Sequence, residues 1–235
     1  MFENPRPARK RRLTSDAVAG AALDLIDNEG LDALSMRRLA AELQVDTMSL
    51  YRSVPDRDGM IREVVRLLLD EIDASEEPGE TWIDTMRRRA FSFRDMALRH
   101  PRAFPLVARA STLEDPALAC TRRLAYLVTR AGLPERLLPD VLLMDDAFTT
   151  GFLLIETDAI CRGMNREPPS QVLGENEALS HVMSGMITRD AFARGLAIIY
   201  EGLLGTFVRE REASSSEAPL VEDVSDSGPE APASS

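Results

Sequence analysis

Pro55 cuts short whatever helix begins at Asp46. The run from Gln44 to Pro55, QVDTMSLYRSVP, has room for barely two helical turns, too few to be stable alone. A helix that short has to be propped from behind. Val45, Leu50 and Val54 fall where they can face preceding helices. Thr47, Met48, Ser49, Tyr51, Arg52 and Ser53 are left on the outer side or at the N-terminal tip.

The props are legible just upstream. Thr14 or Ser15 caps a helix that runs to about Asn28 and stops at Gly30, with Val18, Ala22, Leu25 and Ile26 at helical spacing. Ser35 caps a second helix, in which Met36, Leu39, Ala40 and Leu43 make one apolar stripe. Arg37, Arg38 and Glu42 fall off that stripe. Asp46 caps the short helix, and a fourth helix is expected from Asp56 to Asp73. Helix, helix, tight turn and short helix follow helix-turn-helix logic. The last helix can lie across a duplex groove about 12 Å wide, its N-terminal dipole end toward phosphate.

The run LDALSMRRLAAELQVDTMSLYRSVPDRDGMI, preceded by AALDLIDNEG, resembles the tetracycline-repressor family of bacterial transcriptional regulators. The marks are Asn28-Glu29-Gly30, Ser35-Met36-Arg37, Leu39 to Leu43, and Leu50-Tyr51-Arg52 before Val54-Pro55, covering about residues 14–65. More weakly, HPRAFPLVARA (His100 to Ala110) and the last long helix resemble that family's ligand domain. The resemblance implies DNA contacts by Arg37, Thr47, Met48, Ser49, Tyr51, Arg52 and Arg57. Chemistry agrees: Arg37 and Arg52 can fork onto guanine or phosphate, and Thr47 and Ser49 can hydrogen-bond either. Two positions depart from the family. Gln44 stands where Gly is common, and Ser53 where His is common.

Beyond the breaker-rich joint SEEPGE (Ser75 to Glu80) the pattern stays helical, with helices expected near 81–99, 102–110, 114–131, 139–162 and 188–210. Residues 163–178 read as irregular, with a short helix near 176–184. No strand-period pattern or internal repeat is present. The fold class is therefore all-α. It comprises a flexible basic arm (1–13), a DNA-binding domain with its linking helix (14–73), a larger helical domain (80–210) and a disordered acidic tail (211–235).

In the second domain the resemblance implies a small-molecule effector site. Its candidate lining is Met86, Phe93, Met96, His100 and Phe104, together with Met144, Asp145, Phe148, Thr149 and Phe152. Asp145, Thr149 or Glu156 could orient a ligand or equally hold a helix interface, since buried acids need partners. Gly151, Gly195, Gly202 and Gly205 let helices approach closely. In this family the helices near 139–162 and 188–210 form a homodimer interface. A two-fold dimer would set two short readers roughly 34–36 Å apart on a near-palindromic duplex.

The formal charge of −11 argues against a generic nucleic-acid coat or a membrane-surface binder. Its distribution is uneven: Arg6, Arg9, Lys10, Arg11 and Arg12 crowd the start, and the tail is acidic. Two distant cysteines, Cys120 and Cys161, suit a reducing cytoplasm. No secretory signal is expected, nor any segment approaching a membrane span of about 20 apolar residues. Two histidines without close ligand spacing make no metal site, and no cofactor is expected. Nucleophile–base sets and phosphate loops are missing from the sequence, against an enzyme. The expectation is a homodimeric repressor released from its operator by a small molecule. A transcriptional activator of the same family, or a helical protein-interaction adaptor, is the alternative.

Overall fold

The computed structural model describes residues 13–110, 115–163 and 186–216, with side chains to Val208. Every regular element among them is helical. The chain runs α1 (Ser15–Glu29), a 3₁₀ turn (Leu31–Ala33), α2 (Met36–Glu42), α3 (Thr47–Tyr51) and α4 (Arg57–Asp70). It continues through α5 (Trp82–Arg99), α6 (Phe104–Arg109), α7 (Ala117–Arg130), a second 3₁₀ turn (Glu135–Leu137), α8 (Leu138–Cys161) and α9 (Arg189–Ser216). Most of the expected arm, the segment 163–178 apart from Gly163, the segment 176–184, and the end of the tail lie outside the described residues.

Helix starts follow their caps. Thr14 Oγ1 accepts from Ala17 N, Ser35 Oγ from Arg38 N, Asp46 Oδ1 from Ser49 N and Asp56 Oδ1 from Gly59 N. Gly30 ends α1 at φ 90°, a left-handed conformation that costs glycine little. Thr81 and Asp84 form a reciprocal capping box at the start of α5.

Two boundaries differ from expectation. Helix α4 stops at Asp70, short of Asp73, because Asp73 is held by other partners. Its N–H donates to Ser92 Oγ of α5 at 2.8 Å, and its carboxylate accepts from Ser75 N and Arg88. Those bonds, from Ser75 first and Arg88 after, hold the Asp73 carboxyl down at about 2. Helix α9 runs to Ser216, six residues into the segment expected to be disordered. The residues Glu210, Arg211, Glu212 and Ala213 are good helix formers and extend it.

One apolar core runs the length of the molecule. Val18, Ala22 and Ile26 of α1 pack with Leu39, Leu50 and Val54 and against Met60, Val64 and Leu68 of α4. Farther along, Trp82, Met86, Met96 and Phe104 join Leu153, Phe192, Leu196 and Tyr200. Helices α5 and α8 are also tied by a buried bidentate pair, Arg94 Nε and Nη2 to Glu156 at 2.9 and 2.5 Å. Of the two roles open to Glu156, the structure gives it the helix interface.

The expectation that no segment reaches membrane-spanning length needs correction. The window Arg189–Val208 is 20 residues long with mean hydropathy 1.4. One face of it, Phe192, Leu196 and Tyr200, is fully buried against the core, and Ile198, Leu204 and Val208 face outward.

Candidate nucleic-acid interface and inner cavity

Helix α3 has five residues and depends on what lies behind it. Leu50 and Val54 are fully buried, and Val45 packs on the same cluster. The turn before it closes through Val45 N to Ala40 O at 3.0 Å, with Gln44 at φ 53°. That is the left-handed region where glycine is favoured, so the residue that departs from the family pattern carries the strain expected of it.

The outer side of α3 presents Met48, 69% exposed, and Tyr51, 45% exposed, with Arg52 beside them. Thr47 is half-buried at the N-terminal turn. Ser49 is more committed: its hydroxyl donates to Asp46 Oδ2 at 2.7 Å, which leaves only lone pairs for a further contact. That hydroxyl, and then the Ser49 N–H, lower the Asp46 carboxyl below its ordinary range. Ser53 Oγ donates to Leu13 O at 3.0 Å and pins the start of the described chain to the end of α3.

The arginines divide. Arg38 is claimed by Glu29 at 2.6 Å and Glu42 at 2.9 Å. Arg37 and Arg52 are exposed and make no ion pair among the described residues. Arg57, at the start of α4, is exposed and makes one long bond, Nε to Leu34 O at 3.4 Å. Guanidiniums without carboxylate partners beside an exposed short helix are the groups that phosphate or a guanine edge would meet.

A cavity of about 310 Å³ lies among α4 to α8. Leu69 and Ile72, at the end of α4, form one wall. Phe93 and Leu124 from α5 and α7, with Asp145 and Thr149 of α8, also line it. Asp145 Oδ1 accepts from the Tyr200 hydroxyl at 2.5 Å. Burial pushes the Asp145 carboxyl up to about 6, against the pull of Tyr200 and Arg89. Burial first, and then Asp145 itself, raise the Tyr200 phenol above its ordinary value.

Of the ten residues expected to line such a site, the cavity brings together Phe93, Asp145 and Thr149. The other seven stand elsewhere. Met86, Met96 and Phe104 fill the core. His100 faces Asp27 and Glu71. Met144 is 44% exposed. Phe148 and Phe152 turn toward α9, where both meet the ring of Phe192. A Cβ on Gly195 would lie 2.1 Å from Phe148 Cζ, so the bare backbone of α9 is what admits that ring. Helical rotation accounts for the split on α8. Asp145 and Thr149 share a face; Met144 is turned about 100° from Asp145 and Phe148 about 100° from Thr149, whereas Phe152, seven residues from Asp145, shares its face and is drawn to Phe148 and Phe192 by ring contacts. Sequence reasoning missed Leu69, Ile72, Arg89, Cys120, Leu124 and Asp146. Arg89 could have been found, being one helical turn from Phe93.

The family model "Tetracyclin repressor-like, C-terminal domain" matches residues 75–207, more than half of the chain. The chain belongs to the tetracycline-repressor family of transcriptional regulators. The HTH-type transcriptional repressor DrrR1 of Streptomyces coeruleorubidus is 34% identical over 153 residues, 62% of this chain and 55% of that protein. The class D tetracycline repressor protein of Escherichia coli is 34% identical over 91 residues, 38% of this chain and 42% of its own length. The chain thus spans about half the length of the curated relatives it matches. Among solved structures, the family protein ActR of Streptomyces coelicolor, in complex with (S)-DNPA, shares 30% identity with a TM-score of 0.64. That likeness covers 83% of this chain and 99% of ActR. The tetracycline-repressor fold is therefore shared along nearly all of that relative.

Proposed function

We propose that this family member is a homodimeric DNA-binding repressor that a small molecule releases from its operator. Residues 14–73 form the DNA-binding unit and 80–210 the effector and dimer unit. Arg37, Thr47, Met48, Ser49, Tyr51, Arg52 and Arg57 meet the duplex. The observation that carries the proposal is one helix with two duties. Helix α4 starts at Arg57 beside the exposed α3, and the chain at its far end supplies Leu69 and Ile72 to the cavity wall. A ligand that changes the cavity therefore acts on the element that carries the reader.

Exposed apolar side chains support the dimer. Leu154, Ile155 and Ile160 of α8 and Ile198, Leu204 and Val208 of α9 are large apolar side chains left exposed on the two helices. A second copy packed on these helices covers them and supplies the second reader. ActR, solved with (S)-DNPA, supports the effector half. Linkage requires the effector to favour the DNA-free form, by about 1–3 kcal/mol in typical cases.

Duplexes selected from a random pool by the full chain provide the probe. The double variant Arg37→Ala, Arg52→Ala is expected to lose most of its affinity for the selected duplex and to remain dimeric. Wild-type affinity in that variant would remove these arginines from the interface.

A further inference from the structure

Resting on the reading of the cavity as the effector site, we propose that its ligand is an apolar, ring-sized molecule bearing a protonated amine, held by Asp145 and Asp146. The walls are largely aliphatic, and the polar groups gather on one face of α8, supplemented by Arg89 and Thr121. The threonine hydroxyls have already spent their hydrogens. Thr149 donates to Asp145 O at 2.7 Å, Thr121 to Ala117 O at 3.1 Å and Thr150 to Asp146 Oδ1 at 3.3 Å. Each keeps only lone pairs to offer a ligand. Asp145 takes one donor, the Tyr200 hydroxyl, and neither Asp145 nor Asp146 forms an ion pair within the described residues.

The opposing donor is Arg89, whose guanidinium is partly engaged: Nη2 donates to Cys120 Sγ at 2.7 Å and Nη1 reaches Asp73 O at 3.5 Å. Two carboxylates against one guanidinium leave the lining net negative. An anionic ligand would be repelled by both acids, the partly buried Asp145 and the exposed Asp146. A neutral apolar ligand would exclude water from them and supply no partner. An ammonium brings several donors and one positive charge to a face made almost wholly of acceptors. The high carboxyl pKa of Asp145, set by burial, is the signature of a charge with too little compensation in the free protein.

The test uses three probes of one ring system, naphthalene-methylamine, naphthalene-methanol and naphthalene-acetate, titrated calorimetrically into the full chain near neutral pH. The amine is expected to bind about tenfold more tightly than the alcohol, and the acetate more weakly than both. In the double variant Asp145→Asn, Asp146→Asn the amine's advantage over the alcohol disappears. Equal binding of all three by the wild-type chain, or preference for the acetate, overturns the proposal and leaves the cavity as the effector site. Binding of none of them, in the wild type or the variant, overturns the cavity reading and this proposal with it.

Discussion

His100 Nδ1 lies 2.6 Å from Asp27 Oδ2, so a side chain in the joint after α5 is locked onto the last turn of α1. On its other side Nε2 is 3.1 Å from Glu71 Oε1 at the end of α4. Arg99 and Arg102 reinforce the contact, Arg99 through Glu71 and Arg102 through the carbonyls of Asp27 and Asn28. The sequence suggested His100 as a ligand contact. Its place is the seam between the reader's scaffold and the cavity's helices.

Removing that ring exposes the consequence. Asp27 Oδ1 is already buried without a partner, and His100→Ala would strip Oδ2 as well. The variant is expected to lose about 1–3 kcal/mol of stability in urea unfolding. Its affinity for the amine probe should be unchanged, because His100 lies outside the cavity. Weakened probe binding with unaltered stability would return His100 to the ligand site.

The Arg94–Glu156 pair is buried on both sides, with side-chain exposures of 7% and 10%. Glu156→Gln leaves a buried guanidinium without its counter-charge and is expected to cost about 3–5 kcal/mol. The double change Arg94→Met, Glu156→Leu should cost less than the single one, since no charge is stranded. Chemical denaturation of both variants separates the two results.

Asp145 gives a pH dependence of known sign. Burial raises its folded carboxyl from the ordinary 3.8 to about 6, so the folded state holds its proton more tightly than the unfolded chain. The associated stability is fully present below about pH 4 and is lost as pH rises through about 6. Asp145→Asn should therefore stabilise the free protein by up to about 3 kcal/mol near pH 7, and the gain should vanish near pH 4. Thermal melts at the two pH values check it; a gain that grows toward low pH contradicts it.

Gln44 holds φ 53° in the turn before α3. Gln44→Gly removes the strained Cβ and should raise stability by about 0.5–1 kcal/mol, read as a higher denaturation midpoint with unchanged slope.

The N-terminal third was legible because its signals are local. Thr14, Ser35 and Asp46 each stand just before a helix and accept from the N–H three residues on, as their spacing predicts. Val45, Leu50 and Val54 point inward as the short helix requires. The cavity was not legible in this way. Which face of α8 meets it depends on a rotation fixed by Phe148 closing onto Gly195, a contact between residues far apart in sequence. Large apolar side chains were expected at the site, and most of them fill the core. The lining includes small residues, Ala90, Ala108 and Ala117, whose lack of bulk leaves space between the larger side chains. Asp73 likewise left α4 for partners on α5 that helical periodicity could not reveal.

The central claim is that two copies of the chain, joined through α8 and α9, read one duplex together. The most direct measurement compares the full selected duplex with a duplex carrying half of it, by fluorescence anisotropy and by mass in solution. The expected result is two chains per full duplex, far weaker binding to the half-site, and affinity that falls steeply with salt. Ile198→Glu, which puts a charge on the outer face of α9, should yield monomers that treat the two duplexes alike. One wild-type chain per duplex, with equal affinity for half and full sites, would contradict the account.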